Sequence, residues 1–190
     1  MIELMILVTS SRPGRAGPAM ARWIEPLASA QGEFRVTLVD LAELNLPFMD
    51  EPNHPMKKDY QHEHTKAWSR MVEASDAFLV LAAEYNFGFT AVFKNAIDYL
   101  FQEWNNKPVA FVGYGGVAGG TRSIQMMKSV LTSLNMMPLN EAVYIPFFKN
   151  QFDAAGQFVP TDEQSKAAAK MLKSLARWAV TLRPLRSPGA

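Results

Sequence analysis

Five short runs of strand-forming residues, at positions 3–8, 35–38, 77–83, 108–113 and 139–145, alternate with longer segments whose apolar residues recur at helical spacing. Met20, Trp23, Ile24 and Leu27 form one such stripe. Val92, Phe93, Ala96, Ile97 and Leu100 form another, and Ile124, Met127, Leu131 and Leu134 a third. Leu172, Leu175, Ala179 and Leu182 form the last, behind a capping box at Thr161 and Gln164. A weaker stripe holds Trp68, Met71 and Val72. Strand and helix in alternation predict an α/β chain: a three-layer α/β/α sandwich around a five-stranded parallel sheet.

Size and composition narrow this further. At 190 residues, 48% hydrophobic and 19% charged, the chain is sized for one domain, expected over residues 1–183. The tail at 184–190 is expected to be disordered. Nineteen Lys and Arg against 18 Asp and Glu leave a net charge of +1, so no overall field draws it to nucleic acid or an anionic membrane. The longest apolar run, 77–83, is far short of the roughly 20 residues that span a bilayer. Glu3 stands where a secretory signal would be basic, and there is no cysteine for a disulfide, thiolate metal site or nucleophile. A cytoplasmic protein is expected.

The first turn carries chemistry. In LVTSSRPGRAGPAM (7–20), an apolar strand stops at two hydroxyls, two arginines follow, and Pro18 opens a helix. A helix N-terminus offers unpaired N–H groups and a positive dipole end. Ser10 and Ser11 add hydroxyl donors, and Arg12 and Arg15 add charge and a forked donor geometry matched to phosphate. Neither G-x-G-x-x-G nor G-x-x-x-x-G-K-[ST] occurs here, which favours a mononucleotide over a dinucleotide or a P-loop ligand. The same residues also read as a surface turn with a capping serine and solvated arginines.

After the third strand, EYNFGFTAVFKNAIDYL begins with an aromatic, amide and glycine cluster at the same sheet edge, suited to a flat heterocycle. Together with TSSRPGR after the first strand and VGYGGVAGGTRS after the fourth, it resembles the NAD(P)H-dependent FMN reductases, which include flavin, quinone, azo-dye and chromate reductases. The likeness runs from Ile2 to Tyr144. It implies a flavodoxin-like fold holding FMN, with NADPH or NADH as electron donor and a small molecule as acceptor. By the resemblance, Ser10, Ser11, Arg12, Arg15, Ala16 and Gly17 are the phosphate loop. Glu84, Tyr85, Asn86 and Phe87 match the loop on the isoalloxazine ring, and Gly113, Gly115 and Gly116 the loop at its other edge. Ala83 replaces a common proline and Thr9 a common glycine.

Such a protein needs no acid–base pair or nucleophile of its own, because the cofactor carries the redox chemistry; no catalytic residue is expected. The resemblance also implies a homodimer or tetramer. A flavodoxin-type electron carrier and a flavin-free α/β binding module are the other readings, and a pI near 8.0 argues against the first, whose members are typically acidic. Residues 45–64 are long, proline-broken and aperiodic, and leave the carboxyl edge of the sheet, so they are expected to wall the site. His54, His62 and His64, with Asp59 and Glu63, read as a polar loop, and no metal is assigned. The aromatic stretch 99–104 fits either core or a subunit interface.

Overall fold

The computed structural model describes residues 1–186. Five strands, β1 (Ile2–Val8), β2 (Phe34–Asp40), β3 (Ala77–Ala83), β4 (Pro108–Tyr114) and β5 (Met137–Ile145), form one parallel sheet of order β2-β1-β3-β4-β5. The helices are α1 (Gly17–Ala30), α2 (Leu41–Leu44), α3 (Glu63–Glu73), α4 (Ala91–Asp98), α5 (Thr121–Thr132) and α6 (Asp162–Leu182). This is the expected flavodoxin-like sandwich.

Two apolar layers hold it. On one face, Met20 and Ile24 of α1 and Met171, Leu172 and Leu175 of α6 pack against Leu4, Ile6, Leu79 and Val112. On the other, Trp68 of α3, Phe93 and Ile97 of α4, and Met127 and Leu131 of α5 cover Met5, Leu7, Val80 and Phe111. Every residue of β3 and β4 is buried, as parallel central strands require, whereas edge strand β2 leaves Arg35, Leu38 and Thr37 exposed.

The strands extend beyond the expected runs at several ends. β5 begins at Met137 in spite of Pro138, which an edge strand tolerates because its outer N–H groups have no ladder to join. The Thr161 hydroxyl accepts from the Gln164 N–H, and the Gln164 side chain accepts from the Thr161 N–H, completing the capping box. Tyr99 and Trp104 are buried, with Trp104 tilted against Phe78 at 5.1 Å, so the stretch 99–104 packs as core.

Part of the tail expected to be disordered is ordered. Arg183–Arg186 form a turn of 3-10 helix tied to Asp76 by Arg183 (2.8 Å) and Arg186 (3.0 Å). Residues 187–190 lie outside the described ones. Residues 45–62 also take a defined path. Asn95 bonds both Met49 N–H and Pro47 C=O, and Asp50 receives Tyr99 (2.9 Å) and His64 (3.0 Å). Lys58 pairs with Glu73 and Tyr60 donates to buried Glu103, so the segment lies along α3 and α4.

Candidate functional site

The strand order reverses between β1 and β3, and the turns leaving their carboxyl ends face one another, where doubly wound sheets bind ligands. The base of the first turn is braced across this gap. Buried Thr9 donates to Leu81 C=O (2.8 Å), and its own carbonyl accepts from Thr90 (2.6 Å), whose hydroxyl also caps α4. A glycine at position 9 would lack the first of these bonds, which gives the departure from the common pattern a structural role.

Beyond Thr9, donors accumulate without acceptors. The Ser10 hydroxyl, Tyr114 hydroxyl and Arg15 Nε are all buried; the two hydroxyls lie beside each other, and among the described residues none of the three makes a hydrogen bond of good geometry. All three residues line one cavity of about 230 Å³. Gly17 makes the crowding possible: a Cβ there would lie 2.5 Å from Ser10 Oγ, 2.6 Å from Val8 Cγ1 and 3.1 Å from the Tyr114 hydroxyl oxygen. Burial pushes the Tyr114 phenol well above its ordinary range, so it stays a neutral donor. The Arg15 guanidinium is anchored through Nη2 by Asp40, whose other carboxylate oxygen caps α2 at Ala42 N–H (3.0 Å).

The turn after β3 forms the opposite wall. Tyr85 and Gly88 exchange backbone hydrogen bonds of 2.9 Å around Asn86 (φ 47°) and Phe87 (φ 71°), both in the left-handed region. Phe at such a position is strained. Arg122, at the start of α5, holds it: its guanidinium lies 3.8 Å from the Phe87 ring centroid, and its Nε donates to Glu84 at 2.6 Å. The turn after β4 closes the site. Gly120 (φ 86°) admits no side chain, since a Cβ would fall 2.4 Å from Tyr114 N. Residues after β5 fold onto this turn through Phe147 N–H to Gly116 C=O (3.0 Å) and Phe148 N–H to Gly115 C=O (3.4 Å). They bring Phe148 edge-on to Tyr114, 5.5 Å between centroids, and Lys149 to the cavity wall.

The expected site residues sort accordingly. Ser10, Arg12, Arg15, Ala16, Glu84, Tyr85, Gly115 and Gly116 line the cavity, and Gly17 lies beneath its hydroxyls. Ser11 lines a neighbouring cavity with Leu41, Asn45, Leu46 and Val92; among the described residues, those bordering the main cavity include none from 45–64. Asn86 and Phe87 stand exposed at the turn's tip. Gly113 is buried under α5, where a Cβ would meet Ile124 at 2.7 Å, so its part is packing. Tyr114, Phe148 and Lys149 join the lining without having been singled out in the sequence, as do Asp40 and Arg122 behind it.

A larger cavity, about 500 Å³, opens at the other end of the sheet among Lys107, Arg183, Arg186, Glu73, Asp76 and Glu103. Charges of both signs cancel there, and Lys107 ends on the Val72 (2.7 Å) and Glu73 (3.1 Å) carbonyls, closing the end of α3.

With this geometry in hand, the comparisons with known proteins are specific. The family model described as NADPH-dependent FMN reductase matches residues 2–150, from β1 through all four site turns. The chain belongs to this family. Among FMN reductase relatives, the NAD(P)H-dependent FMN reductase of Schizosaccharomyces pombe is 35% identical over 148 residues, 76% of this chain and 74% of that one. The NAD(P)H:quinone oxidoreductase of Solanum tuberosum is 33% identical over 108 residues, 53% of this chain and 54% of that one. In structure, the flavoenzyme NAD(P)H:(acceptor) oxidoreductase FerB of Paracoccus denitrificans superposes with a TM-score of 0.77 at 21% identity, over 95% of this chain and 98% of that one, which supports the shared fold. No helix among the described residues is long and apolar enough to cross a membrane.

Proposed function

We propose that this chain is an NAD(P)H-dependent FMN reductase of the quinone reductase type, holding FMN in the cavity between the β1, β3 and β4 turns and passing two electrons to a small acceptor. Quinones, azo compounds, chromate and free flavin are the acceptor classes. The observation that carries this reading is the convergence of three buried donors without acceptors, Ser10, Tyr114 and Arg15, on the start of α1. A phosphate supplies acceptors only, and the first N–H groups of a helix point at such an anion. The residues therefore fit the group.

FMN supplies the hydride and electron chemistry. The chain's part is placement. Ser10, Arg12, Arg15 and the start of α1 hold the phosphate end, with Asp40 fixing the Arg15 fork. Tyr85 and the Glu84 backbone, braced by Arg122, flank the ring, and Gly115 and Gly116 leave its other edge free of side chains. Phe148 and Lys149 border the mouth, where the lysine favours anionic nucleotides.

We also infer a homodimer or tetramer. Phe87 (67% exposed), Val117 (71%) and Met126 (49%) leave large apolar side chains around the site turns, and such patches favour a partner surface. Titration of the protein with FMN and with riboflavin tests the cofactor assignment: one tight FMN site per chain and clearly weaker riboflavin binding are expected, and equal affinity for both would overturn the phosphate cradle.

A further inference from the structure

Tyr114 is the last residue of β4, only 3% exposed, and its hydroxyl is one of the buried groups without a partner. A buried unsatisfied hydroxyl is costly, and phenylalanine would fill the same volume without that cost. Among the described residues, the only polar group the core offers the oxygen is the neighbouring Ser10 hydroxyl, and two hydroxyls facing each other still leave one proton without an acceptor. The oxygen's direction does not leave it idle either. The ring is packed edge-on by Phe148, and the Tyr114 carbonyl accepts from Glu84 N–H at 3.1 Å, so the side chain is fixed from both ends. The hydroxyl reaches under the first turn to the start of α1, where the bare Cα of Gly17 leaves room for it and for Ser10 Oγ together.

We propose that Tyr114 is a ligand of the flavin phosphate, donating its hydroxyl from the floor of the cradle and so helping to select phosphorylated over unphosphorylated flavin. The assignment rests on the proposed function and adds a residue from a different strand, remote in sequence from the β1–α1 turn. Three buried side-chain donors then meet one group that can only accept: the Ser10 and Tyr114 hydroxyls and Arg15 Nε, beside the start of α1. The phenol suits the task because it remains neutral across the working pH range, whereas an ionised oxygen would repel the phosphate.

The test is Tyr114→Phe, read by calorimetry with FMN and with riboflavin and by melting of the apoprotein. A hydrogen bond to a charged group corresponds to about tenfold or more in affinity, so FMN binding should weaken by at least that factor. Riboflavin affinity should stay unchanged, and the apoprotein should melt at the same or a higher temperature because an unsatisfied hydroxyl has been removed. Inorganic phosphate should raise the melting temperature of the wild-type apoprotein more than that of the variant. Ser10→Ala, which removes the companion hydroxyl without touching the β4 packing, should show the same selective loss. A variant that keeps the full preference for FMN over riboflavin, or loses affinity for both equally, would overturn the assignment. If wild-type protein itself binds no FMN, the proposed function fails first; if it binds FMN normally and Tyr114→Phe does too, only the role of Tyr114 fails.

Discussion

At the scale of single residues, the proposed site has buried donors without good acceptors and lacks side chains where backbone and hydroxyls converge. Gly17→Ala tests the second device. The added Cβ would lie 2.5 Å from Ser10 Oγ and 2.6 Å from Val8 Cγ1, so the cradle must shift; overpacking of this kind destabilises by about 1–3 kcal/mol. Chemical denaturation should show that loss, together with weaker FMN binding. Arg15→Ala should weaken FMN about tenfold to a hundredfold and riboflavin little, since hydrogen bonds to charged groups contribute about 1.5–3 kcal/mol. The two arginines and two serines could be read in the sequence because they sit together beside a strand end. Tyr114 and Asp40 could not: each ends a strand whose pattern already explains it as core or edge, and only the folded register brings them to the first turn. Lys107 makes a different prediction. Burial, helped by the nearby charge of Arg186, lowers its pKa to about 8, while the unfolded chain keeps a value near 10.5. The unfolded state then binds more protons between those limits, so this group's contribution to stability rises as pH rises from about 8 to 10.5. The gain is at most about 3 kcal/mol. Unfolding free energies of wild type and Lys107→Met across that range should diverge in favour of wild type, and parallel curves would contradict the burial argument.

At the scale of elements, the turns are braced by contacts that sequence periodicity does not encode. The capping box of α6 was legible as Thr161 and Gln164 at fixed spacing, and Thr161→Ala should cost about 1 kcal/mol. On a chain of this size that corresponds to a melting temperature lower by about 2–4 °C. The β3–α4 turn was legible as a cluster but not as a shape. Its two left-handed residues, Asn86 and Phe87, are the centre of the tight turn closed by Tyr85 and Gly88, and Arg122 on another helix packs against Phe87 and pairs with Glu84. Arg122→Ala should therefore free the 84–88 turn, raising amide exchange there while the β3 amides stay protected; unchanged exchange would show that the turn holds its own form. The 45–64 segment was read as a wall because it is long and leaves the correct edge. In the structure it runs along α3 and α4, where Asn95, Tyr99 and Glu103 hydrogen-bond it from 43 to 49 residues away in sequence.

At the scale of the whole molecule, the alternating pattern fixed five strands in a parallel sheet, and the order β2-β1-β3-β4-β5 then placed all the site turns at one edge. What composition could not reveal is how few groups at that edge face one another without partners, since pairing depends on register. Exposed Phe87, Val117 and Met126 predict that light scattering will report a dimer or tetramer, and that charged substitutions at Phe87 and Met126 will shift it toward monomer. In the proposed function the flavin offers one exposed face, which donor and acceptor use in turn. Double-reciprocal plots for NAD(P)H against a quinone should be parallel. The most direct measurement of the central claim is an anaerobic one on protein loaded with one FMN per chain. Adding NADPH or NADH should bleach the visible flavin band at a rate fast enough to account for turnover, and a quinone added afterwards should restore it. A flavin band that neither nucleotide bleaches, or protein that takes up no FMN, would contradict the account.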